Sequence, residues 1–497
     1  MGARVPPWPA RAGLDNTFVK SYVGPPGEAR VPMSDAAFTS ADSQTPTPTD
    51  RLSRQIGVVS LTALLVGLAI GSGIFRVPST VATQIGSVGG IAIIWLAGAA
   101  VALAGALPIV AVTTALPRSG GTYVFLRESY GPLVGFLYGW VKMLVTGPAS
   151  LAALALIFAE YTRAFAPLTD GQVHLVAGAL VVTLTTANVR SVPWGVTLQT
   201  VSTLAKVLAL AVLAVLIFAL GDRSHGAIAQ PITWSGVTAS SFFTALIAVL
   251  WTYTGWMEFT YVAGEVKDPV RAYPRALFAG MAIIVPVYLI INAAYLYVLP
   301  LPAMAKSTLV ASTAATGPLG SRGAAFVAAL VMLSTFGALN GSIMASPRVW
   351  YAMANDGLFF RSVGAVHPRR GTPYVALLLN MCLGLVAVFT HTFEQLTRIF
   401  VLGRWPFITL AVATVFILPR RRPELGPLCR AWGYPYVPAA FVLFSLAMLG
   451  NELFRRPADL LPSVGIVVVG IAVHYGSRAV TAWRTPARSA TPDAAHP

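Results

Sequence analysis

Apolar positions in this chain come in long unbroken runs, each closed by a short polar stretch carrying Arg, Lys, Pro or Gly. The runs place helices at 56–81, 88–114, 131–162, 172–188, 194–220, 239–266, 273–299, 323–353, 373–391, 396–418, 434–451 and 462–482. Most approach or exceed the roughly 20 residues that carry a helix across about 30 Å of hydrocarbon. Unpaired main-chain groups are too costly in lipid for any open structure, and the alternation of a barrel strand is absent. The pattern therefore predicts an all-α integral membrane protein of about 12 transmembrane helices. The loops are short and hold no soluble domain.

Two of these segments are interrupted. The first reads LLVGLAIGSGIFRVPS, where Gly71, Ser72 and Gly73 break an otherwise apolar helix. The sixth reads LWTYTGWMEFTYVAGEVKDP, with Thr254 and Gly255 at the comparable place. Glycines are common in membrane helices simply because they permit close packing. A matching break five segments later favours function, because discontinuous helices in corresponding positions of two halves mark the central site of inverted-repeat carriers. The halves are expected at 51–225 and 226–425, with 426–485 appended and a C-terminal tail at 486–497. Residues 1–50 are rich in Pro, Ser, Thr and Asp with no apolar core, and read as a disordered tail.

Composition agrees: 56% of residues are hydrophobic and 10% charged, against about a quarter charged in soluble domains. The net charge of +16 raises nucleic acid as a partner, but the basic residues lie in short loops and build no continuous face. The lipid bilayer is the expected partner instead, and nucleic acid is not. With the N-terminus in the cytoplasm, Arg118, Arg127, Arg190, Lys267, Arg271, Arg275, Arg361, Arg369, Arg370, Arg420, Arg421, Arg422, Arg478 and Arg484 fall inside, as the positive-inside rule requires. Arg163, Arg223, Lys306, Arg322, Arg455 and Arg456 are the exceptions. The expectation is a multi-pass cell-membrane protein with both termini cytoplasmic. Two cysteines, Cys382 and Cys429, make no structural disulfide and no metal site. The chain lacks HExxH, a Gly-x-Ser-x-Gly turn and a phosphate-binding GxxxxGK[ST], so no catalytic machinery, cofactor or ATP-driven pump is expected.

Four strings in order, GSGIF, PRSGGTYVFLRESYGPLVGFLYGW, GEVKDPVRAYPRAL and FGALNGSIMASPRVWYAMANDG, resemble the amino acid/polyamine/organocation superfamily. Within it, the likeness is to L-type amino acid transporters and their prokaryotic relatives, over residues of about 55 to 425. The resemblance implies a LeuT-type fold of five plus five inverted helices with helices 1 and 6 broken. An amino acid would then bind at the breaks. The first break frees N–H groups at the positive dipole end of its second half, which suits a carboxylate, and Ser72 and Gly73 are the candidates. By similarity to the family, the α-ammonium takes carbonyls of Ala69, Trp251 and Thr254, and Trp251 is an aromatic gate. Ile70, Gly71 and Gly255 complete the lining. Met257 stands where the L-type pattern often has Asn and suggests an apolar distal pocket, shared with Val145, Thr146 and Gly337.

Ionisable residues inside a membrane are functional hypotheses by default. In sodium-independent members of the superfamily, a lysine at the position of Lys206 replaces a sodium ion. It would tie the first break to helix 8 near Asn340 and Ser342. Lys206 and Glu258 are the candidate coupling residues, with snorkelling as the plain alternative for Lys206. Glu258 could hold a proton or a cationic side chain, or pair with a basic neighbour. Glu265, beside Lys267, reads as an inner gate or brace. Arg76 and Arg404 could meet acids across an outer vestibule, with snorkelling the plainer reading for Arg404, while Lys142 and Glu160 read as structural. The expected function is secondary transport of neutral amino acids by alternating access, through sodium-independent exchange or proton-coupled uptake. A cationic amino acid or amine antiporter and a transporter-like nutrient sensor stay open as alternatives. No disulfide-linked heavy chain is expected, since the loop RAFAPLTDGQ has no cysteine.

Overall fold

The computed structural model describes residues 52–229, 237–307, 309–455 and 464–476. Both expected tails, 1–50 and 486–497, lie outside the described residues. The helices are, in chain order, α1 (Val58–Ala69), α2 (Gly73–Ile85), α3 (Val88–Ala115), α4 (Thr122–Tyr130), α5 (Pro132–Val141), α6 (Gly147–Tyr161), α7 (Asp170–Arg190), α8 (Val192–Leu220) and α9 (Ala239–Thr252). They continue with α10 (Gly255–Glu258), α11 (Pro269–Val298), α12 (Leu301–Lys306), α13 (Val310–Ala345), α14 (Pro347–Asn355), α15 (Tyr374–Thr390), α16 (Phe393–Arg421), α17 (Gly426–Cys429) and α18 (Tyr436–Arg455). A final helix, α19, spans 464–476. Among the described residues there is no strand, and a single β-bridge joins Ile56 to Val266.

Among the described residues, six spans are long and apolar enough to cross a membrane, and α1 with α2 makes a seventh bent by 44°. The fold's relation to lipid is clearest in α8. Its exposed face carries Val201, Leu204, Leu208, Val212 and Val215, while Gln199, Ser202, Thr203 and Lys206 are buried against other helices. That inverts the amphipathicity of a helix on a water-soluble protein, and it is the arrangement lipid demands.

Three departures from the expected segments have local causes. The segment expected at 131–162 contains one π turn, Lys142–Thr146, between α5 and α6. Helix α13 begins at Val310, well before 323, and is kinked at Gly320, where φ is 60° just after Pro318; glycine alone takes that conformation without strain. The sixth segment runs from α9 through α10 into a 3-10 stretch, Phe259–Glu265, rather than one continuous helix. At the centre, α1 packs between α8, α11 and α13, and α2 against α9, α12 and α13. The two interrupted segments are therefore surrounded by the rest of the bundle.

Candidate functional site

Helix α1 ends because Ile70 leaves the helical region, at φ −78° and ψ 84°, and Gly71 folds back to donate its N–H to the Ala69 carbonyl at 2.9 Å. Ser72 precedes α2 and is buried. The first N–H groups of α2 have no partner within their own helix and lie at its positive end. In the sixth segment α9 stops at Tyr253, and the Thr254 hydroxyl donates to the Trp251 carbonyl at 2.9 Å.

The two breaks touch. A Cβ placed on Gly255 would sit 2.6 Å from the Ala69 nitrogen and 2.9 Å from the Leu65 carbonyl oxygen. Those obstacles are main chain and cannot swing away, so glycine is what lets the segments meet. A Cβ on Gly73 would likewise strike the Thr252 side chain.

The carbonyls of Gly67, Ala69, Ile70 and Gly71 at the first break each have a donor from a neighbouring helix. Lys206, fully buried on α8, donates from Nζ to Gly67 at 2.7 Å, to Ile70 at 2.5 Å and, more weakly, to Ser334 at 3.4 Å. The Ser334 hydroxyl on α13 reaches the carbonyls of Ile70 and Gly71 at 3.1 and 3.0 Å. The Tyr288 hydroxyl on α11 stands 2.8 Å from both the Ala69 and the Thr252 carbonyl oxygens, so one phenol serves both broken segments. The Lys206 ammonium thus joins α1 to α13 as the resemblance implied, but through Ser334 rather than Asn340 or Ser342. Asn340 faces away from it, accepting from Asn188 at 2.8 Å and donating to Gln199 at 3.0 Å. Snorkelling does not describe Lys206, whose end points into the bundle.

Ala69 is thereby brought against Gly255 and Gly73 against Thr252, with Ile70, Gly71 and Ser72 joining α1 to α2 and Thr254 preceding Gly255. Trp251 is partly buried there, its ring edge-on to Phe400 at 4.8 Å. The carbonyls of Ala69, Trp251 and Thr254 already accept intramolecular bonds, the last from the Met257 N–H at 3.4 Å. Gly337 lies instead against Ser202 and Lys206.

One turn beyond the second break the site is charged. Glu258 accepts from Arg404 at 2.6 Å, and the Lys142 ammonium is 3.6 Å away; all three side chains are buried. A cavity of about 10 Å³ adjoins them, lined by Tyr138, Val141, Lys142, Thr146, Tyr261, Gly403, Arg404 and Phe407. This corrects one expectation. Arg404 neither snorkels nor meets an acid across the outer vestibule, because Glu258 holds it inside. Lys142 belongs to this cluster. Thr146 lines that cavity, while Met257 is buried beside Glu258 and is not among the lining residues.

Further along, Glu265 and Arg348 form a two-pronged buried ion pair, Nε to Oε1 at 2.7 Å and Nη2 to Oε2 at 3.1 Å. The Glu265 carbonyl also accepts the N–H groups of Gln55 and Ile56 at 2.8 and 2.9 Å. This brace fastens the chain before α1 to the end of the sixth segment and to α14. Arg76 lies on the first turn of α2 and Glu160 on the last turn of α6. Among the described residues no group of three or more His, Cys, Asp or Glu could hold a metal.

The sequence profile of the amino acid permease family matches residues 56–472. The chain belongs to that family. A serine/threonine exchanger of Bacillus subtilis is 30% identical to this permease over 430 residues, 86% of this chain and 97% of the exchanger. A large neutral amino acids transporter small subunit 2 of Oryctolagus cuniculus is 30% identical over 445 residues, 85% of this permease and 80% of the relative. A b(0,+)-type amino acid transporter 1 of Mus musculus is 29% identical over 442 residues, covering 86% and 88%. The relatives are transporters, not enzymes, and this permease is a multi-pass membrane protein of amino acid transport. Sequence reasoning missed Tyr288, Ser334 and Arg348 as site residues of the permease. The signal for Arg348 was present, a charge deep in the apolar segment 323–353, whereas hydroxyls at Tyr288 and Ser334 are unremarkable in a membrane helix.

Proposed function

We propose that this permease carries amino acids by alternating access as a sodium-independent secondary transporter, working by exchange or by proton-coupled uptake, with neutral amino acids as substrates. The observation that carries the reading is the contact of the two breaks through Gly255, with Lys206 filling the first of them. The amino acid's carboxylate goes to the N–H groups of Ser72 and Gly73. Its ammonium goes to the carbonyls of Ala69, Trp251 and Thr254, which exchange their intramolecular partners for it when the segments part. Recognition through main chain reads what all amino acids share. Trp251 against Phe400 closes the pocket from one side, and the Glu265–Arg348 brace closes the other.

In this proposal about 12 spans form a LeuT-type pair of inverted repeats, 51–225 and 226–425, with both termini cytoplasmic. A fixed ammonium at Lys206 does the structural work that a sodium ion would do, so no metal is needed. The cationic-substrate alternative loses its motive, because Glu258 already faces two cations. No disulfide-linked heavy chain is invoked in this proposal, since the loop RAFAPLTDGQ has no cysteine. Uptake of labelled amino acids by liposomes carrying the purified chain tests the reading, and a sensor of the same fold would bind without flux.

A further inference from the structure

The chain between α16 and α18 is fastened to the bundle on one side and turned outward on the other. Arg420 and Arg421 stand in the last turn of α16, and Arg422 follows as its cap. Arg422 reaches Glu128 on α4 at 2.6 Å. Helix α17 packs on α3 and α16, and Cys429 and Ala431 are buried there. The outward side shows Trp432, Tyr434 and Tyr436, exposed by 64, 36 and 81%. The Tyr434 ring stands 5.7 Å from that of Phe416, near the end of α16. That contact sets the aromatic stretch level with the end of the helix. Arg420, Arg421 and Arg430 are exposed in the same stretch, and Glu424 is the only acid between 420 and 436.

The helix dipole alone accounts for cations at the end of α16, and topology alone accounts for a basic loop. Neither accounts for three aromatic rings turned outward in the same stretch. Amphipathic rings settle at the level of lipid headgroups, and basic residues just beyond a membrane helix draw anionic headgroups. We propose that residues 420–436 form a docking surface for an anionic phospholipid. Arg420 and Arg421 meet the headgroup phosphate, whose oxygens a guanidinium fork can engage in pairs. Trp432, Tyr434 and Tyr436 lie against the glycerol and the first carbons of the acyl chains. The lipid then covers the joint at which Arg422 ties α16 to α4. This partner goes beyond the amino acid and is independent of flux, although it rests on the proposed reading of α16 as a membrane span.

The test uses the full chain in phosphatidylcholine nanodiscs, with phosphatidylglycerol as the anionic probe. Bromine on the acyl chains of either lipid quenches tryptophan, and the signal of Trp432 is the difference between the unaltered protein and Trp432→Phe. Brominated phosphatidylglycerol should quench Trp432 at a mole fraction at least about 10-fold below that needed for brominated phosphatidylcholine, each basic side chain near the headgroups contributing a preference of about 5-fold. Arg420→Gln combined with Arg421→Gln should remove the preference, and Arg420→Lys with Arg421→Lys should keep most of it. Both positions are exposed, and an unchanged denaturation midpoint in pure phosphatidylcholine verifies that the variants fold. A preference that survives the two glutamines overturns the proposal. So does its loss to excess soluble glycerol phosphate, which would assign the arginines to a free phosphate instead. Equal quenching by the two lipids also overturns the proposal, but leaves the stretch at the bilayer surface. No quenching by either lipid would remove the reading of α16 as a span along with it.

Discussion

Lys206 Nζ lies 2.5 Å from the carbonyl oxygen of Ile70, the residue at which the first membrane segment leaves its helix. A broken helix exposes carbonyls that lipid cannot satisfy. Here the Lys206 amine from α8 reaches the carbonyls of Gly67 and Ile70, and the Ser334 hydroxyl on α13 reaches those of Ile70 and Gly71. The break is thus a braced junction between three helices.

Lys206→Ala removes a charged donor and leaves main-chain carbonyls buried without it, a cost of about 1–3 kcal/mol. Uptake into liposomes is expected to fall by about 10-fold or more, with a lower denaturation midpoint. Uptake by the unaltered protein stays the same when sodium is replaced by choline. Normal uptake by Lys206→Ala would contradict the assigned role.

Tyr288→Phe keeps the ring and loses the hydroxyl that stands between the Ala69 and Thr252 carbonyls. The loss of about 1 kcal/mol expected for one neutral hydrogen bond is small for stability. Its effect on uptake should be larger than on the midpoint, because the bond couples the two moving segments. Equal, small effects on both would mean that the hydroxyl only satisfies the carbonyls.

Much of this arrangement was legible in the chain and some was not, for a physical reason. Glycines in an apolar run, and a lysine where hydrocarbon is expected, announce themselves by cost. Which neighbour answers that cost depends on the rotation and depth of each helix, which a run of Ala, Leu and Val leaves open. Thus Lys206 could be singled out, while its α13 partner, Ser334, lies nearly two turns from the expected Asn340 and Ser342. Arg404 was misread for the same reason: a lone arginine in a helix resembles one that snorkels until α10 brings Glu258 against it.

The Glu265–Arg348 pair is buried on both sides, at 1% and 2% exposure. Removing one partner strands the other's charge, which costs about 3–5 kcal/mol. Glu265→Gln should therefore lower the midpoint sharply. The pair Glu265→Gln with Arg348→Met should recover most of the loss, measured as a double-mutant cycle in detergent. Additive losses would show that the pair is not the brace described.

Cys429 lies outside the membrane-spanning helices, fully buried, and burial pushes its thiol up to about 11. The reactive thiolate is scarcer than in an ordinary cysteine at every pH below that value. In a Cys382→Ser background, maleimide should leave the folded protein unlabelled at pH 7, gain little as the pH rises to about 9, and react fully after unfolding in detergent. Rapid labelling of the folded protein would contradict the packing at α17.

In the proposed function, the two broken segments meeting at Gly255 form the transport site for amino acids. The direct measurement is uptake of labelled neutral amino acids into liposomes containing the purified chain, empty or preloaded with the same amino acid, without sodium and at two outside pH values. Uptake confined to preloaded vesicles establishes exchange, and uptake into empty vesicles that grows with outside acidity establishes proton coupling; Gly255→Ala, which drives a methyl into the Ala69 main chain, abolishes either. Absence of flux under both conditions, or flux that survives Gly255→Ala unchanged, would contradict the account.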